Sequence, residues 1–543
     1  MTAGAAWLGA ALAVPLALLL ACAWRPARDR MLPALAWAPL PALAAALLAD
    51  RGAARVVMTA GAYEGRLALD APGALLLGVA SLLWSAAGAY AATYQREQPN
   101  RGRFAAAWLL CLFGCLGVFL AADMPLLYMM LASMTLGAGA LVFQDESAGA
   151  RRAAGIYLGL ALAGETLVLI AMVLLAQAAG SWLVRDAALA LPHAGQRDLI
   201  VALLVVGFGL KAGLVPLHVW MPLAHAAAPM PASAVLSGVV VKAGIIGLIR
   251  FLPLDPGLAG WGNALAVAGM FTALYAVAIG VTQSHPKVVL AYSSVSQMGF
   301  TVAVIGMGVA SADPDGPVLA AFYASHHILV KGAMFLLVGV VAATAAARLR
   351  GTLAMAALLA VGLGGLPFTG GAVAKLAVKG TLGGGWAATV AYVSAVGTTL
   401  LMLHFLRRAM ANASTQPDAR AAAGLRWPWW FTAIAAIVVP WSLYLGLSIG
   451  TFDELVAPKA LWSGLWPAAV GALLAALLAH AEARLPRIPP GDVAVAIDAA
   501  ARGAARAGAA IERADASLRE WAIAGIGLLA LAVAVGTALV IWR

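Results

Sequence analysis

The chain has 543 residues, of which 63% are hydrophobic and only 10% are charged, and its formal net charge is +11. This composition excludes a water-soluble globular protein and predicts a polytopic membrane protein, since hydrocarbon admits only helices or closed barrels. The positive charge does not indicate a nucleic-acid partner, because the basic residues lie between apolar segments of helix length.

The apolar segments predict an all-α membrane helical bundle of about 16 transmembrane helices, each near the length needed to cross a bilayer. The first segment lacks a small-residue cleavage site, so we expect it to be retained rather than removed as a signal peptide. In chain order the expected spans are 3–24, 32–49, 73–95, 104–122, 124–143, 154–178, 199–224, 232–251, 260–282, 288–309, 318–345, 353–382, 385–406, 429–450, 460–480 and 521–541.

Basic loops predict the orientation of the bundle. If the N-terminus lies outside, most Lys and Arg residues between the spans fall in inner loops, which is the positive-inside bias. We therefore expect a multi-pass protein of the cell inner membrane with both termini on the outer, periplasmic face. The clusters that mark inner loops are Arg25/Arg28/Arg30, Arg96/Arg101/Arg103 and Arg407/Arg408.

Three segments between the spans have their own predicted structure. Residues 50–71 predict an outer-face loop or hairpin, and residues 181–198 suit an interfacial helix. Residues 490–520 are Ala-rich and carry repeated arginines, which predicts a surface helix on the inner face. That helix is either a solvated linker or a strut against a neighbouring subunit.

Two spans contain helix breakers at mid-depth. Span seven carries Pro216 and Pro222, and span twelve carries a cluster of Gly and Pro. Such residues free backbone groups that must find water or polar partners, so the broken segments line a cavity. Two interrupted spans in corresponding halves indicate two inverted repeats with a site near the midplane. The breakers of span twelve are Gly364, Gly365, Pro367, Gly370 and Gly371.

Five of the seven lysines lie inside expected spans, together with one carboxylate, Glu165. A charged side chain at mid-bilayer costs at least about 2.5–3.5 kcal/mol, so such residues are rare and usually serve transport. A row of lysines with a single glutamate therefore predicts a proton relay. The five lysines are Lys211, Lys242, Lys331, Lys375 and Lys379.

Histidines extend this row. His327 and Lys331 are four residues apart, share a helix face and are suited to exchange a proton. Lys375 and Lys379 also share a face. Because two ammonium groups repel, we expect Lys375 to act and Lys379 to extend toward the outer surface. His326 is either a relay member or a packing residue, and His218 and His225 are either relay members or hydrogen-bonded scaffold residues at the break. Lys379 is also a possible relay member.

The sequence carries no Cys/His metal spacing, phosphate loop, nucleotide fingerprint or Ser-His-Asp pattern. We therefore expect no metal, no cofactor and no catalytic centre in the chain itself. Any enzymatic activity would belong to an assembly that contains it.

Four motifs stand in order along the chain: KAGLVPLHVWMPLAHAAAPMPASAVLSGVVVKAG, PKVVLAYSSVSQMGF, HHILVKGAMFLLVG and GLPFTGGAVAK. Together they resemble the proton-conducting, antiporter-like membrane subunits. That family serves respiratory complex I, multi-subunit sodium/proton antiporters and group 4 membrane hydrogenases such as formate hydrogenlyase. The resemblance extends over residues 60–400.

The resemblance implies roles for the intramembrane residues. Lys211 is similar to the central lysine of the first half-channel, and Lys242 to the connecting lysine. His327 and Lys331 are similar to the bridging pair, and Lys375 to the lysine of the second half-channel.

The resemblance also implies four parts of the chain. Residues 1–103 are N-terminal transmembrane helices, and residues 104–251 are the first half-channel repeat. The second repeat is 252–408. Residues 409–543 are C-terminal helices that include the interfacial helix.

One position departs from the family pattern. The family usually has a glutamate in the fifth span that pairs with the span-seven lysine, and Ala132 occupies that position here. Glu165, one span later, is the only mid-membrane carboxylate available to replace it. We therefore expect Glu165 to pair with Lys211, because a nearby ammonium would hold a desolvated carboxylate ionised.

The implied function is proton translocation within a multi-subunit complex that is complex I-like or membrane-bound hydrogenase-like. Implied partners are other membrane subunits, a soluble redox module, lipid, and protons or sodium ions. One alternative is a two-component inorganic-carbon or cation uptake system with a zinc-dependent soluble partner. Another is a structural subunit whose path is inactive because the span-five glutamate is missing.

Overall fold

A computed structural model describes residues 3–49, 55–60, 63–481, 485–486, 488–518, 529–530 and 533. Within these residues, thirteen helices are long and apolar enough to cross a membrane, so the protein is a polytopic helical bundle. The chain separates into two units, Met1–Pro490 and Gly491–Arg543.

The first half of the bundle contains long apolar helices and one β-hairpin. Its elements are α1 (Ala3–Ala21), α2 (Arg25–Arg28), α3 (Leu40–Leu48), β1 (Arg55–Ala60), β2 (Tyr63–Ala68), α4 (Ala71–Tyr94), α5 (Arg101–Leu120), α6 (Met124–Val142), α7 (Ala148–Ala179), α8 (Val184–Ala190), α9 (Arg197–Ala212), α10 (Trp220–Ala227), α11 (Met230–Val235) and α12 (Lys242–Phe251).

The remaining elements continue the pattern of long helices interrupted by short ones. They are α13 (Ala259–Gly280), α14 (Pro286–Ser311), α15 (Gly316–Ala342), α16 (Arg350–Leu363), α17 (Gly370–Ala377), α18 (Lys379–Leu382), α19 (Trp386–Met410), α20 (Ala423–Gly446), α21 (Phe452–Val456), α22 (Pro458–Ala481) and α23 (Ala494–Leu518).

Three of the expected spans are not among these thirteen helices. Residues 32–49 form a 3-10 turn followed by α3, because prolines at 33, 39 and 41 remove the donors that a continuous helix needs. Residues 353–382 divide among α16, α17 and α18, as the breakers of span twelve predict. The expected last span, 521–541, lies outside the described residues apart from three positions. The structure therefore does not confirm a count of 16.

The segment before α4 is a hairpin, one of the two forms expected for it. Strands β1 and β2 pair antiparallel. The Arg66 N–H donates to the Asp123 carboxylate at 2.6 Å, and the Ala122 N–H donates to the Arg66 carbonyl. Val184, at the start of α8, donates back to the Ala122 carbonyl. The hairpin and the predicted helix near Trp182 thus meet at one end of the bundle.

Glycines hold α13 and α14 in close contact. A Cβ at Gly269 would lie 2.5 Å from the Gly299 carbonyl oxygen, and one at Gly306 would lie 2.6 Å from the Gly262 carbonyl oxygen. Small residues at such crossings let membrane helices approach closely. This packing fixes the position of α14, which carries several polar groups of the bundle interior.

Arg250, near the end of α12, joins three helix ends. Its guanidinium makes two hydrogen bonds to Asp70, at 2.8 and 3.1 Å. It also donates to the carbonyls of Val118, Phe119 and Ala121, which the end of α5 leaves open. The Arg250 side chain is 8% exposed. It therefore acts as a buried clamp between α4, α5 and α12.

Asp70 is the N-cap residue of α4, and its carboxylate is held by Arg250. Burial acts to raise the pKa of Asp70, but the Arg250 guanidinium and the Gly73 N–H together hold that pKa below its ordinary value of 3.8. A carboxyl with a lowered folded pKa stabilises the fold above its unfolded pKa and loses that contribution as the pH falls. We expect this stabilisation at neutral pH and its loss below about pH 4.

We predict that Arg250→Met lowers the free energy of unfolding by about 2 kcal/mol, because it leaves buried carbonyls and one carboxylate without their donor. Thermal unfolding in detergent measures the effect. Arg348→Met is the matched control, since its pairing with Asp418 is exposed and is worth about 0.5 kcal/mol. Equal melting temperatures for the two variants would show that the hydrogen bonds of Arg250 do not stabilise the contact between α4, α5 and α12.

The second unit contains the helix expected near residues 490–520, observed as α23. The side chains of Arg502, Arg506 and Arg513 are exposed along it. The helix itself is confirmed, and its position on the inner face stays a prediction.

Candidate functional site

The first broken span bends directly after a lysine. Helix α9 ends one residue after Lys211, Gly213 adopts a positive φ of 81°, and Pro216 precedes a 3-10 turn. The indole N–H of Trp220 donates to the Leu210 carbonyl at 3.0 Å, so the break is partly satisfied by a side chain. The break predicted at Pro216 is therefore present, with Lys211 at its edge.

Lys211 forms a buried ion pair with Glu165 of α7. The Lys211 Nζ and Glu165 Oε1 atoms are 2.6 Å apart, and the side chains are 4% and 2% exposed. The Thr135 hydroxyl of α6 donates to the same Oε1 at 2.5 Å, and the Lys211 ammonium donates to the Thr135 oxygen. Among the described residues, Glu165 Oε2 has no hydrogen-bond partner. Three helices thus supply one acid, one base and one hydroxyl to a single buried cluster.

Thr135 is a site residue that the sequence analysis missed. It lies three residues after Ala132, on the same helix face as the position where the family has its glutamate. That spacing is the signal that indicates a polar contribution from α6. The helix still reaches the pair, with a hydroxyl instead of a carboxylate.

The second broken span also holds a lysine at its break. Helix α16 ends at Leu363, a loop containing Pro367 follows, and α17 begins at Gly370. Lys375 of α17 donates to the Gly364 carbonyl at 2.8 Å, which satisfies a group that the break exposes. Both interrupted spans therefore carry a lysine next to the break.

Two glycines of this break are required by contact with other segments. A Cβ at Gly371 would overlap the Gly362 carbonyl, and one at Gly370 would overlap the Ala436 carbonyl. His326 lies against the same two glycines, within about 3 Å of the added carbons. His326 is therefore buried beside the second break.

An open cavity of about 100 Å³ lies beside α17. Its lining is mainly apolar, including Tyr392 and Trp441, and it contains both Lys375 and Lys379. Lys375 is half-buried, whereas Lys379 is exposed. The exposure difference agrees with the expected division between an inner lysine and an outward-reaching one.

Lys242 and His327 form a second polar cluster at the centre of the bundle. The Lys242 Nζ and His327 Nδ1 atoms are 2.5 Å apart, and Lys242 also donates to the Ser237 carbonyl at 3.3 Å. Ser237 lies in a π-helical turn, Leu236–Val240, just before α12. Such turns often occur at functional sites because they free carbonyls for other donors.

Lys331 reaches the neighbouring helix α14. Its ammonium donates to the Leu290 carbonyl at 3.3 Å. The Ser294 hydroxyl donates to the same carbonyl at 3.0 Å and lies 2.6 Å from the Ser237 hydroxyl. Polar atoms therefore connect Lys331 to the turn that holds Lys242. The sequence analysis missed Ser237 and Ser294, although both lie within the quoted motifs.

The hydrogen bonds of His327 differ from the expected helix pair. Its Nδ1 atom contacts Lys242 of α12 rather than Lys331 of its own helix, while Lys331 extends to Leu290 and to the Met402 sulfur at 3.9 Å. Residues four apart on a helix lie near each other, but the lysine side chain is long enough to reach acceptors on adjacent helices. The structure therefore joins His327 to Lys242 directly.

Two other candidate histidines lie between aromatic rings. The His218 ring is 5.7 Å from Tyr275 and 5.9 Å from Tyr292, measured between centroids. The His225 ring is 4.8 Å from Phe335. Both imidazole rings thus pack against aromatic side chains, and their membership of the relay stays a prediction.

Lys287 is a buried lysine that the sequence analysis left out. It lies in the first turn of α14, is 6% exposed and donates to the Ala228 carbonyl at 2.7 Å. The omission arose because the span was expected to begin one residue later. Proline is common in the first turn of a helix, so Pro286 is the signal that the helix begins early enough to include Lys287.

The described part of the chain offers no group of three or more His, Cys, Asp and Glu side chains that could hold a metal ion. Cys22, Cys111 and Cys115 are buried free thiols. The buried site residues described above carry ammonium, imidazole, carboxylate and hydroxyl groups, all of which are able to transfer protons.

Comparison with known proteins defines the class. Residues 121–403 match the family model described as NADH:quinone oxidoreductase/Mrp antiporter, transmembrane. The chain belongs to this family, whose matched region contains both breaks and all the intramembrane lysines.

Alignments with individual proteins also find relatives in membrane complexes of this family. Hydrogenase-4 component B of Escherichia coli (strain K12) is 31% identical over 294 residues, covering 51% of this chain and 43% of that protein. NAD(P)H-quinone oxidoreductase chain 4 2 of Microcystis aeruginosa is 36% identical over 188 residues, covering 33% of this chain and 32% of that protein. The alignments thus span less than half of each relative.

A solved structure shares the fold. The structure of the Mrp complex from Dietzia sp. DQ12-45-1b superposes with a TM-score of 0.80 at 23% identity, covering 99% of this chain and 63% of that one. The similarity extends over the N- and C-terminal helices that the family match leaves out. This chain therefore shares the fold of that protein.

Proposed function

We propose that this chain translocates protons as an antiporter-like subunit of a multi-subunit membrane complex. The observation that carries the proposal is the buried ion pair between Glu165 and Lys211 at the edge of a broken helix. Removing two charges from water is costly, so an intramembrane pair of this kind is usually retained for function.

The proposed relay runs from this pair to the centre and then to the second break. When Glu165 separates from Lys211, the Lys211 ammonium releases its proton. The proton then passes by way of Lys242 and His327. The contacts of Ser237 and Ser294 support a connection from there to Lys331. Lys375, at the open cavity, is the proposed exchange point with water. In this scheme the first half-channel is residues 104–251 and the second is 252–408.

The proposed partners are other membrane subunits and a soluble redox module, with protons as the transported ion. The names of the relatives, a hydrogenase component and a quinone oxidoreductase chain, support a redox assembly. We further propose an inner-membrane location with both termini on the outer face, on the strength of the basic loop clusters. Purification of the native assembly tests the partner: iron–sulfur and nickel proteins support a redox module, whereas a carbonic-anhydrase-like chain supports the uptake alternative.

We predict that Lys375→Met lowers proton flux about tenfold or more, because a positioned proton carrier is removed while side-chain length is kept. The measurement uses the purified assembly in vesicles with a trapped pH-sensitive dye and an imposed membrane potential.

Lys379→Met is the matched control, because this lysine is four residues away and exposed. We expect it to retain most of the wild-type flux. Equal losses in both variants would argue against a distinct role for Lys375. Wild-type flux in both would favour the structural-subunit alternative.

A further inference from the structure

We propose that Thr135 is a positioning residue that holds Glu165 while its ion pair with Lys211 opens. This inference rests on the proposed function, because it assigns a part in the same proton step. The residue is buried on α6, and its hydroxyl contacts both members of the pair.

The hydrogen-bond directions in the cluster are fixed. A threonine hydroxyl has one hydrogen, and an ionised carboxylate only accepts. Thr135 therefore donates its hydrogen to Glu165 Oε1 and uses a lone pair to accept from the Lys211 ammonium. The hydroxyl is oriented by the acid and the base together.

Thr135 differs in this from several other threonines in the long helices of the bundle. A helical threonine usually donates to the carbonyl four residues earlier. Thr166, Thr301, Thr398 and Thr432 all do so, at 2.7 to 2.9 Å. The Thr135 hydroxyl instead donates across to α7, which indicates a role toward Glu165 rather than in its own helix.

The consequence concerns the open state of the pair. When Lys211 moves away, Glu165 loses one of the two donors on Oε1, and Oε2 has no partner among the described residues. The Thr135 donor then remains. An unpaired carboxylate in this setting is strongly disfavoured, so a retained hydrogen bond lowers the cost of separation. Loss of the hydroxyl should therefore slow transport without removing a charge.

The test is Thr135→Val, which keeps the shape and removes the hydroxyl. We expect proton flux of the vesicle-reconstituted assembly to fall about tenfold, the effect of one hydrogen bond to a charged group. Thr135→Ser restores the hydroxyl and should recover most of the flux. Thr166→Val makes the same change next to Glu165, on an exposed side chain bonded to its own helix, and should behave as wild type.

A double-mutant cycle separates positioning from general structural damage. In a Glu165→Gln background, Thr135→Val should cause little further loss, because its partner charge is already gone. Should Thr135→Val fail to assemble, Thr135→Cys takes its place, since a thiol is a weak donor of similar size. Activity in the Ser variant with a loss in the Cys variant would then support the inference.

Two outcomes overturn the inference in distinguishable ways. Wild-type flux in Thr135→Val, with flux abolished in Glu165→Gln, would reject the role of Thr135 and leave the proposed function intact. Wild-type flux in both Thr135→Val and Glu165→Gln would reject the proposed function and this inference together.

Discussion

Replacing Glu165 by Gln is expected to reduce proton flux about 100-fold, since the positioned carboxylate that pairs with Lys211 is lost. The amide keeps the shape of the side chain but cannot hold the lysine charged or accept its proton. Flux in vesicles that contain the native assembly measures the effect. Glu64→Gln is the control, because Glu64 lies exposed in the hairpin.

Glu165→Gln alone is also expected to lower the stability of the protein. It leaves a buried ammonium without its counter-charge, which is expected to lower the free energy of unfolding by about 3 kcal/mol. Combining Glu165→Gln with Lys211→Met removes both charges and should recover that stability without recovering flux. If stability and flux returned together in the double variant, the flux loss would have arisen from unfolding rather than from proton transfer.

Replacing Gly371 by Ala is expected to cost about 3 kcal/mol of stability and to reduce the amount of folded protein. The added carbon would overlap the Gly362 carbonyl and press against the His326 ring. The two halves of the second broken span would then have to separate. The melting temperature and yield of monodisperse protein in detergent measure the result.

Gly351→Ala is the matched control, because it lies in the first turn of α16 with nothing within 4 Å of the added carbon. It should be neutral or stabilising by about 0.5 kcal/mol, since alanine is the better helix former. Similar melting temperatures for the two variants would show that the contact at Gly371 is not a constraint on the fold.

The fold was largely predictable because its signals are local. Apolar length marks the spans, and Pro216 and Pro367 mark the two interruptions. The contact between Glu165 and Lys211 followed from a shortage of alternatives: no other carboxylate stands at mid-membrane to meet a lysine on the next span.

The partners of the central residues were not predictable in the same way. His327 bonds to Lys242 and not to Lys331, because the choice depends on how α12, α14 and α15 cross. Thr135 was not predicted because a single hydroxyl in an apolar span usually bonds to its own helix, as the Ser294 hydroxyl does to Leu290. Only tertiary packing shows which hydroxyls turn toward a neighbour.

The central claim is that protons cross through the buried lysines, and Lys331 tests it most directly because it is fully buried between the two broken spans in sequence. The measurement is proton flux into vesicles containing the native assembly, with wild type and Lys331→Met compared at equal protein content. We predict that the variant retains its fold and loses flux about 100-fold. Equal flux in a folded Lys331→Met assembly would contradict the relay.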